Sequence, residues 1–351
     1  MITLQGMVFC KMMLTTVSTP ENLGMRIILL MWVDDLIIAA SADTIVRDVE
    51  EMLKRRFKMK DMGPLKHFLG SDFNCSDGEI KMTQKRHIEK MLARFEMSEC
   101  KPRSTPSEQK LHFDNDGDVI DPTGYREIVG SLIYIMTCTR PDLSWIVSKL
   151  SQHLAGPKQQ HWTAAKHLLR YLKGTMGQEL NYRKCEKSLQ LEGYRDADWA
   201  ADKNDRRSTT GYCFSLTETG AVISWKSRKQ PTVALSSCEA EDMALAAATQ
   251  ESMYVVQLLK GMDGSNQHLQ VNIYEDNQGA MALSKNPVCR QRSKHVDIKY
   301  HFVRFAHTEG KINVVYCLTA DLVADVLTKP VSKNLKFEKF MFVWRVMEAG
   351  R

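Results

Sequence analysis

Past residue 187 the chain runs through three strand-length segments, 189–196, 209–216 and 221–226, and then switches to helical periodicity from about 238 to 260. Strand patterns return at 271–276 and 312–316, with a short helix and a charged helix at 295–307 between them and a last helix near 322–327. Period-two runs bounded by turn residues such as Gly220 specify strands, and apolar residues three and four apart specify helices. The order that results, β-β-β-α-β-α-α-β-α, restricts this half of the chain to a sheet flanked by helices. The sequence contains no internal repeat and no low-complexity tract.

The first hundred residues carry a different pattern. An apolar strand from Met25, the pair Asp34-Asp35 and a second apolar strand from Leu36 to Ala40 read as a hairpin with carboxylates at its tip. Ser41 is placed to cap a helix whose Ile45, Val49, Met52, Leu53 and Phe57 share one face. A strand at 67–74, a turn at Asp77-Gly78, a return strand at 79–82 and a helix capped by Thr83 complete an α+β region. Pro, Ser, Asp and Gly dominate 101–124, the clearest linker in the chain. Three helical patterns follow, at 125–139, 142–154 and 159–172, broken at Pro141 and at Gly156-Pro157.

With 351 residues, 43% of them hydrophobic, the chain can bury a sizeable core and is not a disordered protein. Its longest apolar run, 27–33, is far shorter than the roughly 20 residues of a bilayer span. The N-terminus lacks a secretory signal pattern, and the nine cysteines are odd in number, scattered and without C-x-x-C spacing. They read as free thiols, most of them buried, in a reducing intracellular compartment. The 48 basic and 42 acidic side chains leave a charge of +6, which permits a polyanionic partner without requiring one.

Adjacent carboxylates at 34 and 35 repel unless a cation lies between them, so divalent metal and a solvated turn are both open readings there. Further acids fall at element ends: Asp196 closes the first strand of the second half, Asp276 the fourth, and Asp325 opens the last helix, with Asp321 one turn earlier as its alternative. Glu239 and Glu241 diverge by about 200° around one helix, so only one of them can face a common site. Taken singly, each acid is also an ordinary capping or solvation choice. Lys285, Arg290, Arg292, Lys294, Lys299 and Arg304, interleaved with His295, His301 and His307, form either a phosphate-binding surface or a solvated helix face. Lys166, His167, Arg170 and Lys173 make a second patch, on a helix whose Trp162, Leu168, Leu169 and Leu172 are core-facing. The 112–117 stretch departs from a calcium loop at its first and last ligand positions, and the histidines near 300 lack the partners of a zinc site.

Trp32-Val33-Asp34-Asp35-Leu36-Ile37-Ile38 resembles the palm hairpin of reverse transcriptases, with Trp where Tyr is usual, and the sequence onward to Thr105-Pro106 resembles copia-type retrotransposon polymerases. Gly193-Tyr194-Arg195-Asp196-Ala197-Asp198-Trp199, Arg207-Ser208-Thr209-Thr210-Gly211-Tyr212, Ile223-Ser224-Trp225-Lys226-Ser227 and Ser236-Ser237-Cys238-Glu239-Ala240-Glu241 resemble the ribonuclease H domain of the same elements. Asp276-Asn277-Gln278, the 294–302 stretch and Ala324-Asp325-Val326-Leu327-Thr328-Lys329-Pro330 extend that resemblance over nearly the whole chain. It implies the C-terminal part of a Pol polyprotein, α+β and α/β in class. Its parts are a partial reverse-transcriptase palm and thumb (1–110), a linker and helical connector (111–187), a ribonuclease H-like mixed sheet flanked by helices (188–332) and a tail (333–351).

The resemblance implies cleavage of the RNA strand of RNA·DNA hybrids, with Asp196, Glu241, Asp276 and Asp325 holding two Mg2+ ions, for which Mn2+ can substitute. Glu241 is preferred over Glu239 because the Ala-Leu-Ala pattern after it matches the family. It also implies metal at Asp34 and Asp35, and nucleic-acid contacts from Lys285, Arg290, Arg292, Lys294, His295, Lys299 and Arg304. The family's further palm aspartate lies well upstream of the hairpin, and 33 residues precede Asp34. The chain alone is therefore not expected to polymerise DNA, and a partner subunit supplying the polymerase half is one way to complete it. Three residues depart from the family pattern: Arg195, expected to compete with metal for Asp196, and Glu275 and Asp242, expected to raise the pKa of neighbouring carboxylates. The alternative to an enzyme is a non-catalytic, hybrid-binding remnant. The expected setting is cytoplasmic or nuclear, with no membrane partner.

Overall fold

The computed structural model describes residues 11–15, 27–114, 116–185, 190–216, 220–263, 269–277, 279, 294–330, 337–338, 340–341 and 346–348; at 11–15, 263, 294–297 and 346–348 the description is of backbone alone. β1 (Lys11–Thr15), β2 (Ile27–Trp32) and β3 (Asp35–Ala40) form an antiparallel sheet in that order. Pairing of Trp32 with Asp35 closes the β2–β3 hairpin, and Val33 turns it with φ +50°. α1 (Asp43–Arg56) packs Ile45 and Val49 against Ile27. Its N-cap is Ala42, without a side-chain hydrogen bond, so Ser41 lies one residue outside the capping position expected for it.

β4 (His67–Phe68), β5 (Ser71–Ser76) and β6 (Glu79–Thr83) follow as an antiparallel meander, then α2 (Lys85–Arg94). Thr83 does not cap α2: the cap is Gln84, whose amide oxygen accepts from Thr139 at 2.7 Å, while the Thr83 hydroxyl donates to the Gln178 carbonyl at 3.4 Å. α3 (Pro122–Cys138) starts at Asp121, which accepts the Thr123 N–H, and has Pro at its first position. A 3-10 turn at Pro141–Leu143 leads to α4 (Ser144–Ser151), and α5 (Gln159–Gly174) ends the helical group. β7 (Gln178–Arg183) pairs with β6 and, on its other side, with the C-terminal β13 (Val346–Glu348), giving the order β13-β7-β6-β5-β4.

The linker is not loose. Arg170 Nε donates to the Lys101 carbonyl at 2.7 Å, the Arg103 N–H to the Arg170 carbonyl at 3.2 Å, and Lys173 Nζ to the Ser98 carbonyl, while His167 Nε2 lies 3.0 Å from the Thr105 carbonyl. Lys166 lies over the Trp162 ring. The second basic patch read from sequence is thus largely engaged in holding this segment against α5.

β8 (Leu191–Ala197), β9 (Thr209–Leu216) and β10 (Val222–Lys229) are antiparallel to one another; α6 (Ser237–Asp263) follows. β11 (Val271–Glu275) then runs parallel to β8, and after α7 (Lys294–Thr308) β12 (Ile312–Tyr316) runs parallel to β11. The sheet order is β10-β9-β8-β11-β12, with a 3-10 helix at Val323–Leu327 beyond it. The short helix expected after 276 falls mostly outside the described residues.

Two cores hold these layers. One runs from Met82, Ile88 and Leu92 through Tyr125, Leu132, Leu168 and Leu172 to Trp225, Val326 and Phe340. The other fills the space between the sheet and its helices with Phe214, Leu245, Ile273, Val303 and Ile312. Of the free cysteines described, only Cys213 is fully buried, which corrects the expectation that most would be: the others lie at element ends and turns that keep part of each thiol in contact with solvent. Among the described residues no helix is long and apolar enough to cross a membrane.

Candidate metal centre

β8 and β11 are neighbouring parallel strands paired at Glu192 with Asn272, Gly193 with Ile273 and Tyr194 with Tyr274. Carrying that register two residues further sets Asp276, just past β11, beside Asp196 near the end of β8. α6 packs on β8 and brings the third acid. Ser236 accepts the Glu239 N–H at 3.1 Å and so starts the helix, while the Glu239 carboxylate turns back to the Leu235 N–H at 2.8 Å. Glu241, two residues on, faces the sheet, and one carboxylate oxygen from each of Asp196, Glu241 and Asp276 lies within 4.8 Å of the others.

The centre is dry. Asp196 and Glu241 are buried and Asp276 is half-buried. Burial holds the Asp196 carboxyl above its ordinary range against the pull of the Lys329 charge, with Asp325 and Asp276 adding repulsion. Burial also pushes Glu241 up to about 8, opposed by Arg195 and reinforced by Asp196, Asp276 and Glu275. Glu275 therefore acts on its neighbour as its charge implies.

Two cations stand among the acids. Lys329 Nζ is 2.7 Å from Asp325 Oδ1 and 3.4 Å from Asp196 Oδ2, and the Thr328 hydroxyl donates to Asp196. Asp325, on the 3-10 helix, is thus joined to Asp196 through the ammonium and is not one of the three acids whose oxygens converge. Arg195 is buried, and its guanidinium donates to Glu241 and to Glu275. Its hydrogen bonds go to α6 and β11, and Asp196 acts on it through its charge. Asp198, not singled out from sequence, is buried and accepts the Thr209 N–H at 2.6 Å, fixing the strand end two residues past Asp196. Its signal was its spacing, on the same strand face as Asp196.

An all-carboxylate oxygen set drawn from three elements suits a hard divalent cation such as Mg2+ or Mn2+. The residues fit the ion. Asp34 and Asp35 lie exposed at the hairpin tip, and among the described residues no third ligand joins them. Lys285, Arg290 and Arg292 lie outside the described residues, as do the side chains of Lys294 and His295. Lys299 is half-buried on α7, and the Arg304 guanidinium lies 5.5 Å from the centre of the Tyr300 ring.

A mixed five-stranded sheet with acids at the ends of its central parallel strands defines a ribonuclease H-like unit, here attached to part of a reverse transcriptase. Residues 17–109 match the family model described as "Reverse transcriptase (RNA-dependent DNA polymerase)". The "Retrovirus-related Pol polyprotein from transposon RE2" of Arabidopsis thaliana is 39% identical over 316 residues, covering 90% of this chain and 21% of that protein. The "Putative transposon Ty5-1 protein YCL074W" of Saccharomyces cerevisiae is 33% identical over 224 residues, 63% of this chain and 72% of that protein. A solved foamy viral protease-reverse transcriptase in complex with RNA/DNA hybrid aligns over 83% of this chain and 36% of its own at 11% identity, with a TM-score of 0.48. The chain belongs to the copia-type retrotransposon Pol polyproteins. It spans about a fifth of the RE2 polyprotein's length.

Proposed function

We propose that the chain cleaves the RNA strand of RNA·DNA hybrids endonucleolytically in a divalent-metal-dependent reaction. The observation that carries this reading is the convergence of buried Asp196 and Glu241 with Asp276 from three separate elements. Asp196 and Asp276 would hold the cation from the sheet and Glu241 would hold it from the helix. Lys329 bridges Asp325 to Asp196 beside them. A divalent ion bound there would supply a water of lowered pKa for attack and stabilisation of the leaving 3′ oxygen. The substrate follows from the company the unit keeps: an RNA-dependent DNA polymerase produces an RNA·DNA hybrid, whose RNA must then be removed. We extend the reading to two ions, the second beside Asp325, and to a hybrid-binding surface formed by α7 and the stretch before it, with Lys285, Arg290, Arg292, Lys294, His295, Lys299 and Arg304 supplying phosphate contacts.

The palm hairpin, with Asp34 and Asp35 as its metal ligands, is proposed to need further polymerase elements before it can extend a primer. Template-dependent incorporation by this chain alone would defeat that part. For the nuclease, a labelled hybrid incubated with the chain and Mg2+ is expected to lose its RNA strand, with EDTA, Asp196→Asn and Asp276→Asn each abolishing the loss. Binding without cleavage would establish the non-catalytic reading, which the pairing of Arg195 with Glu241 and of Lys329 with Asp196 favours.

A further inference from the structure

Arg195 and Glu275 occupy equivalent positions, each immediately before a strand-end aspartate of the centre. The β8–β11 register that pairs Tyr194 with Tyr274 sets them side by side. Both are buried, Arg195 at 1% and Glu275 at 0% exposure, and the guanidinium donates to Glu275 across the strands and to Glu241 on α6. Removing either one takes away a buried opposite charge from the other, so each is less well compensated alone than with its partner. Their hub ties β8, β11 and α6, the three elements that bring Asp196, Asp276 and Glu241 together.

Two consequences follow for Glu241. A charge-assisted hydrogen bond to a rigid guanidinium fixes the carboxylate's orientation, while its second oxygen and remaining lone pairs stay available to another cation. The same guanidinium places a unit positive charge one hydrogen bond away from a ligand atom, in a medium that screens it poorly, and this opposes any divalent ion.

We propose that Arg195, neutralised by Glu275, is a positioning residue that fixes the Glu241 carboxylate in the acidic centre and holds down the centre's affinity for divalent metal. The inference rests on the metal reading above. It is tested by Mn2+ titration of the full chain, following the free-ion electron paramagnetic resonance signal, with circular dichroism to monitor folding. Arg195→Thr combined with Glu275→Val removes the guanidinium beside Glu241 without leaving behind a buried carboxylate that has lost it, and is expected to tighten Mn2+ binding by about tenfold. Glu275→Gln alone leaves Glu241 as the guanidinium's hydrogen-bonded carboxylate among the acids described and is expected to weaken binding. That variant decides the matter if the double variant fails to fold.

Mn2+ affinity unchanged in both variants would overturn the brace and leave the metal reading standing. No binding in any of the three proteins would overturn both. Binding by the double variant but not by the unaltered chain would support the brace in its strongest form.

Discussion

A lysine ammonium between two carboxylates is a tethered monovalent cation, and Lys329 holds that place between Asp325 and Asp196. Its side chain is 48% exposed, so the pair is worth about 0–1 kcal/mol of stability. Its effect on a nearby divalent ion is larger, because Asp196 is buried and the repulsion acts in a poorly screening medium. Lys329→Gln is therefore expected to leave the melting temperature nearly unchanged while half-maximal cleavage moves to about three- to tenfold lower Mg2+. An unaltered Mg2+ dependence would remove Lys329 from the centre's electrostatics. Elsewhere, His161 stacks on His153 at 3.8 Å and accepts the Lys158 N–H through Nδ1. Burial, with His153 and Lys158 nearby, lowers its pKa from 6.5 to about 4. Over that window the unfolded chain binds the proton and the folded chain does not, so the His161 contribution to stability is whole above about 6.5 and is lost as pH falls toward 4. His161→Gln keeps an acceptor for the Lys158 N–H and is expected to flatten the acid side of the melting curve against pH; an equally steep acid side would refute the assignment.

At the level of elements, the centre depends on how closely the 3-10 helix at Val323–Leu327 approaches β9. Gly211 pairs with Asp196 across β8 and β9, and a Cβ added there would lie 2.7 Å from Leu327 Cβ and 2.8 Å from Thr328 Cγ2. Gly211→Ala is expected to cost about 1–3 kcal/mol by overpacking and to displace Thr328 and Lys329 from Asp196, shifting half-maximal cleavage to lower Mg2+ as Lys329→Gln does. Gly130, on the exposed face of α3 with nothing within 4 Å of an added Cβ, supplies the contrast: Gly130→Ala is expected to stabilise the chain by about 0.5–1 kcal/mol with cleavage unchanged. Strand and helix periodicity made most elements legible, and Thr209–Leu216 and Ile312–Tyr316 fall where the alternation puts them. β7 was not legible, because only Leu180 and Tyr182 mark its inward face and one of its partners, β13, lies more than 160 residues away. Asp196, Glu241 and Asp276 were readable from motifs and element ends, whereas the bond from Arg195 to Glu275 spans 80 residues and needed the β8–β11 register to show it. The place of Lys329 was visible only as an i, i+4 partner of Asp325.

Across the whole molecule, stability is concentrated where helical connector and mixed sheet share side chains. Trp225 of β10 lies in the same core as Tyr125, Leu132 and Leu168, and its indole N–H donates to the Met136 carbonyl of α3 at 3.0 Å. Burying side chains of this size contributes about 1.5–3 kcal/mol each, so separating these layers would forfeit several such terms at once. The hairpin and α1 have no comparable store. Ile27, Ile45 and Val49 are their fully buried side chains among those described, whereas Met52 and Phe57 are 57% and 59% exposed. Segments with few buried apolar contacts open locally at a fraction of the global cost. Native-state hydrogen exchange is accordingly expected to show amides of 122–172, 209–216 and 220–229 opening together at the highest free energy. Amides of 27–56 are expected to exchange at least about a hundredfold faster, equivalent to roughly 3 kcal/mol less protection. Equal protection in the two regions would mean that the hairpin is stabilised by the shared core after all; opening of 122–172 separately from 209–216 and 220–229 would mean that the layers are independent folding units despite the tryptophan that joins them.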